Sequence, residues 1–286
     1  MLRKIRIAAA AFFFVLTTLL FLDFTGTLHA WFGWMAKIQF LPALLALNVG
    51  VVAFLVILTL LFGRVYCSVI CPLGVFQDVV SRAAARRRKN RFRYSRALSW
   101  LRYGILALFL VALVAHFKPV SNLLAPYSAY GRIVSNLFAP LYLWGNNLLA
   151  YIAGRMDSYA FYSVDVWMKS LSTLLVAVVT FAVLFVLAWR SGRTYCNTIC
   201  PVGTVLGFLA RYSLFKPRFD TSKCNGCKLC ARNCKASCID PAAHKIDYSR
   251  CVACMDCLEN CRQGAITYTL RRRKPDPAPA PQRPAA

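Results

Sequence analysis

The chain has 286 residues, 59% hydrophobic and 16% charged, with 35 lysines and arginines against 10 acidic residues and a formal net charge of +25. Soluble domains carry roughly 25% charged residues, so the composition points away from an ordinary soluble enzyme and toward the membrane class. Such a charge in a soluble chain would suggest nucleic acid, but uninterrupted polar stretches for a separate binding domain are lacking. No nucleic-acid partner is expected, and the cations are read as held on one side of a bilayer, against its lipids.

A bilayer core takes about 20 apolar residues in a helix. Four segments qualify in chain order, near residues 5–24, 41–63, 97–117 and 170–189. The first has two readings. MLRKIR before it and LHA near Ala30 fit a cleaved signal peptide, while the length of the apolar run favours a retained span. Basic residues set the orientation. Arg3, Lys4 and Arg6 precede the first segment, eight basic residues lie between Arg82 and Arg96, and Arg190 and Arg193 follow the fourth. The positive-inside rule then puts the N-terminus, the middle loop and the C-terminal region in the cytoplasm. Residues 120–169 are apolar but interrupted by Pro126, Pro140, Gly145, Asn146 and Asn147, and they repeat SNLLAP as SNLFAP. Short interfacial helices on the outer face are expected there, with Tyr127, Tyr130, Tyr142 and Trp144 at headgroup depth. His29 and His116 fall near the outer ends of spans, where they could deprotonate a quinol or simply be hydrated.

The second and fourth segments end in related motifs, GRVYCSVICPLG at 63–74 and GRTYCNTICPVG at 192–203. This internal repeat suggests two related halves, each closed by C-x3-C-P at 67–72 and 196–201. On a continuous helix residues i and i+4 share a face, but a proline pushes the residue before it out of helical conformation. Each cysteine pair is therefore placed at a helix end. Three readings of Cys67, Cys71, Cys196 and Cys200 stay open: redox-active or quinone-adjacent thiol pairs, a metal site built from all four, or a structural role. Arg64 and Arg193 stand where they could stabilise thiolates.

Nine of the 13 cysteines crowd into Cys224–Cys261. Close, regular spacing favours metal ligation over disulfides, and an oxygen-sensitive thiolate site fits a reducing compartment. CNGCKLCARNC and CVACMDCLENC both read C-x2-C-x2-C-x3-C, the spacing of two-cluster bacterial ferredoxins, in which the fourth cysteine ligates the other cluster. Three cysteines of a tight loop supply three corners of a cubane, and after the x3 gap the chain is expected to run away on a helix. This assigns Cys224, Cys227, Cys230 and Cys261 to one [4Fe–4S] cluster and Cys251, Cys254, Cys257 and Cys234 to the other. Ile239, Ile246, Ile266 and Tyr268 are the expected core. Cys238 is either a buried thiol or a substitute ligand. Lys223, Lys228, Arg232, Lys235, Arg250 and Arg262 either receive an acidic electron carrier or form a solvated surface. His244 is placed in a loop, and Arg271–Ala286 is Pro/Ala-rich and read as disordered. No nucleotide-binding or nucleophile motif is present, and no catalytic side chain is assigned.

Spans, two YCxxxCP motifs and a two-cluster ferredoxin tail together resemble the NapH-type ferredoxin membrane proteins, over residues 1 to about 270. They also resemble the membrane portion of NosR-type proteins and, more distantly, CcoG. The resemblance implies a bacterial cytoplasmic-membrane protein with four spans and cytoplasmic clusters. For NapH-type proteins it implies quinol oxidation feeding a periplasmic reductase. NosR-type proteins add a flavin-bearing outer domain that this chain lacks, and CcoG-like proteins imply copper reduction during oxidase assembly. Lys235 and Arg262 stand where the family pattern has proline.

The expected architecture is a helical membrane domain with a duplicated half (1–215), a small α+β ferredoxin domain (216–270) and a tail (271–286). The expected function is electron transfer between the quinone pool, or a cytoplasmic donor, and a partner reductase. The chain would then be a quinol dehydrogenase-type subunit and not a complete enzyme. The alternative is a metal-reducing, assembly or sensing protein for a respiratory enzyme.

Overall fold

The computed structural model describes residues 2–85, 92–156, 162–166 and 170–270. The centre of the basic run (86–91) and the tail 271–286, with its expected disorder, lie outside the described residues.

All four apolar segments contain helices, but of unequal length. Leu2–Leu22 and Leu171–Ser191 have 21 residues each and are long and apolar enough to cross a membrane. Val49–Phe62 has 14 and Ser99–Val114 has 16, short of the ~20 that a bilayer core needs. The 41–63 segment is not one helix. Phe40–Leu45 forms a separate helix, and the chain then turns through Leu47 in the left-handed region. Asn48 caps the next helix, its side chain accepting from Val51 N–H at 3.3 Å. That cap satisfies an amide donor that has no partner within the helix.

The sequence repeat is a repeat in the fold. Val49–Phe62 ends at Gly63, and is followed by the short helix Val65–Val69 and then Pro72–Ala85. Leu171–Ser191 ends at Gly192, and is followed by Thr194–Thr198 and then Pro201–Ala210. Proline suits the first position of the third helix in each copy, where its missing N–H costs nothing. Cys200 before it is extended, as a residue preceding proline must be.

Residues 118–155 depart from the expected interfacial helices. They run as Lys118–Leu124, Pro126–Ile133, a π-helical turn Val134–Phe138 and Ala139–Arg155. Pro126–Ile133 and the π-helical turn pack inside the bundle, whereas Lys118–Leu124 buries no residue. Tyr130, expected at headgroup depth, is buried, its hydroxyl 2.6 Å from Thr18 Oγ1. Tyr195 donates to the Leu124 carbonyl at 3.3 Å. Small residues explain the close fit, since Ala125 and Ala129 are fully buried and Gly131 packs on the Phe21 ring. Tyr142 and Trp144 are exposed.

The C-terminal module holds two short antiparallel sheets. Strand β1 (Phe215–Phe219) pairs with β4 (Ile266–Leu270), Phe215 opposite Leu270, and β2 (Ile239–Asp240) pairs with β3 (Lys245–Ile246). Ile239, Val252 and Ile266 are its buried core, with Ile246 packed at the edge. Tyr268, expected in that core, instead stacks on Phe215 and donates to the Phe62 carbonyl at 2.9 Å, tying β4 to the end of a bundle helix.

Module and bundle meet through buried charge. Asp78, on the Pro72–Ala85 helix, takes Arg193 Nε at 2.7 Å, Lys235 Nζ at 2.9 Å and Arg6 Nη1 at 3.3 Å. Lys235 continues to Asp256 at 3.0 Å, and Arg3 pairs with Asp256 and Glu259. Burial alone would raise the Asp78 carboxyl, but Arg193 and Lys235 outweigh it and hold Asp78 far below the usual carboxylate range. Burial alone would lower the Lys235 ammonium, but Asp78, with Cys254 and Asp256, raises it.

Candidate iron–sulfur centres

Both ferredoxin-type runs fold into the same local shape. The residues two and four after the first cysteine are left-handed in each copy: Gly226 and Lys228, then Ala253 and Met255. Alternation of this kind turns successive backbone N–H groups into a concave nest that favours anions. A short helix follows, Leu229–Arg232 or Asp256–Glu259, carrying the third cysteine. The helix therefore precedes the fourth cysteine rather than following it, and it carries Cys234 and Cys261 away from their own loops.

The result is two cavities between which the fourth cysteines are exchanged. Cys224, Cys227, Cys230 and Cys261 line the first, together with Phe219 and Ile266. Cys234, Cys251, Cys254 and Cys257 line the second, together with Ile239 and Leu258. Four thiols, an apolar wall and an amide nest fit the thiolate ligation of a [4Fe–4S] cluster. The cavities differ in exposure. Cys227 is exposed, with Lys223, Lys228 and Arg262 exposed in the same module, whereas Cys234, Cys254 and Cys257 are buried.

Cys238 is a fifth thiol on the second cavity. It is buried, and its Sγ lies 3.5 Å from Cys234 Sγ. Lys235 and Arg250 are not part of the basic surface. Lys235 is buried between Asp78 and Asp256, and Arg250 is buried against Asp247 and the Ser95 carbonyl. Arg232 donates to the Cys227 carbonyl at 2.8 Å. His244 packs edge-on against Phe219, and His29 and His116 are exposed.

Cys67, Cys71, Cys196 and Cys200 are all buried. The two repeats are locked reciprocally, each arginine on the other copy's backbone. Arg193 Nη1 donates to the Cys67 carbonyl, and Arg64 Nη2 donates to the Cys196 carbonyl at 3.1 Å. Burial pushes the Cys71 and Cys200 thiols well up and Cys196 to about 11, so burial wins over the nearby arginines and the free side chains are protonated at neutral pH. Among the described residues, no group of three or more His, Cys, Asp or Glu is gathered as around a single metal ion.

Comparison with known proteins divides the chain along the same lines. A family model described as a 4Fe-4S binding domain matches residues 44–92 and again 173–222, one match over each C-x3-C-P repeat. A second model with that description matches 244–267, over Cys251–Cys261. Ferredoxin-type protein NapH of Haemophilus influenzae is 29% identical over 196 residues, which is 68% of this chain and 55% of that protein. YccM of Escherichia coli, whose name assigns it to electron transport, is 24% identical over 189 residues, 64% of this chain and 44% of its own length. The chain is similar to the NapH-type 4Fe–4S polyferredoxins. An uncharacterized protein of Methanocaldococcus jannaschii is 32% identical over 88 residues, 31% of this chain and 35% of that protein. The chain spans about half or less of the length of these curated relatives. No solved structure matches it.

Proposed function

We propose that this NapH-type chain is a membrane-bound electron-transfer protein that holds two [4Fe–4S] clusters and relays electrons between the quinone pool, or a cytoplasmic donor, and a partner reductase. The observation that carries the reading is the pair of four-cysteine cavities in which Cys234 and Cys261 are exchanged between motifs. Such clusters, when bound, supply one-electron chemistry at potentials set by hydrogen bonds and solvent exposure. The protein's own contribution is to order two environments. The Cys227 side faces solvent with Lys223, Lys228 and Arg262 exposed in the same module, which suits a docking acidic carrier or reductase subunit. The Cys254 side is buried toward the bundle, where Lys235 pairs with Asp256 at 3.0 Å and Arg64 reaches the Ser249 carbonyl at 3.0 Å.

Membrane residence and sidedness belong to the same proposal. Phe54, Val111 and Val179 are large apolar side chains more than half exposed on the helices, and lipid would cover them. The start of Leu2–Leu22, the turn after Leu171–Ser191 and residue Ser95 of the basic segment all meet the iron–sulfur module, through Arg3, the Arg193 N–H to the Lys235 carbonyl at 2.8 Å, and Ser95. One end of the bundle therefore collects the basic residues and the module, which favours a cytoplasmic placement with four passes.

Ligand exchange gives the test. Cys261→Ala is expected to abolish the same reduced-state EPR signal as Cys224→Ala, and Cys234→Ala the same signal as Cys254→Ala. Each single variant should lose at most about half of the roughly eight irons of these two sites. If Cys261→Ala instead matched Cys254→Ala, each motif would close on itself and the two-cavity reading would be wrong.

A further inference from the structure

We propose that Cys67, Cys71, Cys196 and Cys200 together hold a third cluster of the [4Fe–4S] class, in the seam between the two repeats. The proposal goes beyond the ferredoxin module and rests on different cysteines. Each repeat brings only two thiols, so neither copy alone completes a ligand set, although a 4Fe-4S binding domain model matches each. The fold supplies the missing half. The reciprocal arginine–carbonyl bonds clamp the Cys67 turn to the Cys196 turn, and all four thiols are buried.

Three of the four sulfurs face an N–H donor. Gly203 N donates to Cys200 Sγ at 3.3 Å. Gln77 Nε2 lies 3.3 Å from Cys196 Sγ and Arg64 Nη2 lies 4.0 Å from Cys67 Sγ. A neutral thiol is a weak acceptor and gives little reason for such an array. N–H donors aimed at ligand sulfurs are what tunes a thiolate-bound cluster.

The surrounding charge also calls for an anion. Arg64 and Arg193 are fully buried. Arg64 has neutral partners, the Cys196 and Ser249 carbonyls and Asn197 Oδ1, with no carboxylate at ion-pair distance among the described residues. Among the described residues its Nε and the Nη2 of Arg193 have no hydrogen-bond partner. A buried cation with orphaned donors is costly unless a counter-charge stands beside it, and a cubane held by four thiolates is a net anion. A single tetrahedral ion would need all four sulfurs within about 2.3 Å of one point, and no cysteines are gathered in that way among the described residues, in this seam or in the ferredoxin cavities. Arg64 also reaches Ser249 of the module at 3.0 Å, so the seam adjoins the Cys251 cavity.

The test is metal and acid-labile sulfide per chain on the full-length protein, purified anaerobically in detergent, with EPR of the reduced form. About twelve irons per chain are expected in the parent. Cys67→Ala with Cys196→Ala should lose about a third of them while keeping both ferredoxin signals. Cys224→Ala with Cys251→Ala should lose the ferredoxin signals and keep the seam's iron, so failure of the two-cluster reading shows in this variant and failure of the third site in the other. About eight irons in the parent, all lost with the ferredoxin cysteines, would overturn the proposal. So would stoichiometric zinc or copper that departs with Cys67 and Cys196. If the double alanine variant does not fold, Cys200→Ser and the parent stoichiometry still decide.

Discussion

Asp78→Asn is expected to destabilise the protein by about 3–5 kcal/mol, the cost of breaking a buried ion pair by removing one partner, and to loosen the iron–sulfur module from the bundle. The carboxylate sits among Arg193, Lys235 and Arg6, all buried, and an amide keeps its shape without its charge. Lys235 would then keep Asp256, which Arg3 also engages, and Arg6 and Arg193 would be left with no carboxylate at ion-pair distance among the described residues. Thermal unfolding of the purified protein, followed by iron release and by proteolysis in the 213–215 link, reads both effects. A variant with the parent's unfolding temperature and iron release would show that Asp78 does not carry the junction. The half-exposed Arg3–Glu259 pair gives the contrast, because Glu259→Gln should cost no more than about 1 kcal/mol. The pH dependence follows the signs. Asp78 is depressed below its ordinary 3.8, so its contribution is present above that value and is lost as pH falls through the folded value. Lys235 is raised above 10.5, so its contribution is present below that value and is lost only as pH rises past the folded one. The junction is therefore complete across neutral pH.

How much of this was legible depends on whether the determinant is local. The eight ferredoxin-type cysteines could be read because ligand spacing within a loop is a property of a few consecutive residues. The paired C-x3-C-P motifs were visible as a repeat, but not which copy's arginine holds which copy's cysteine, since that exchange appears only when the halves pack. Helix lengths were overestimated in the second segment because hydropathy is blind to the Asn48 cap. Tyr130 looked interfacial because it is amphipathic, yet Thr18 from another helix satisfies its hydroxyl inside the bundle. Lys235 and Arg250 looked like surface cations for the same reason, their carboxylate or carbonyl partners being distant in the fold or masked by a turn. Asp78 gave one faint signal, a rare acid seven residues after Cys71 in a chain with 35 basic and 10 acidic residues. Its counterpart in the second repeat is Gly207, where Arg102 and Ser249 crowd in. The repeat is thus asymmetric at the position where the module docks.

Gly203→Ala and Gly74→Ala are expected to damage the seam from its backbone. A Cβ at Gly203 would overlap the Cys196 carbonyl and stand 2.9 Å from Arg64 Nη2, and one at Gly74 would overlap the Cys67 carbonyl and stand 3.1 Å from Arg193 Nη1. The carbonyls belong to short helices pinned by those same arginines, and the arginines are fully buried, so neither neighbour can step aside. Overpacking costs about 1–3 kcal/mol, and displacing a buried hydrogen bond to a charged group adds about 1.5–3 kcal/mol. Each variant should therefore unfold at a clearly lower temperature than the parent, and the two should be alike because the contacts are alike. Gly145→Ala is the control. It lies in the Ala139–Arg155 helix with nothing within 4 Å of an added Cβ, so the change should be neutral or stabilising by up to about 1 kcal/mol. Equal behaviour of Gly203→Ala and Gly145→Ala in thermal unfolding would mean that the two turns are not closely packed. The reciprocal clamp, on which the ordering of Cys67 and Cys196 depends, would then have to be abandoned.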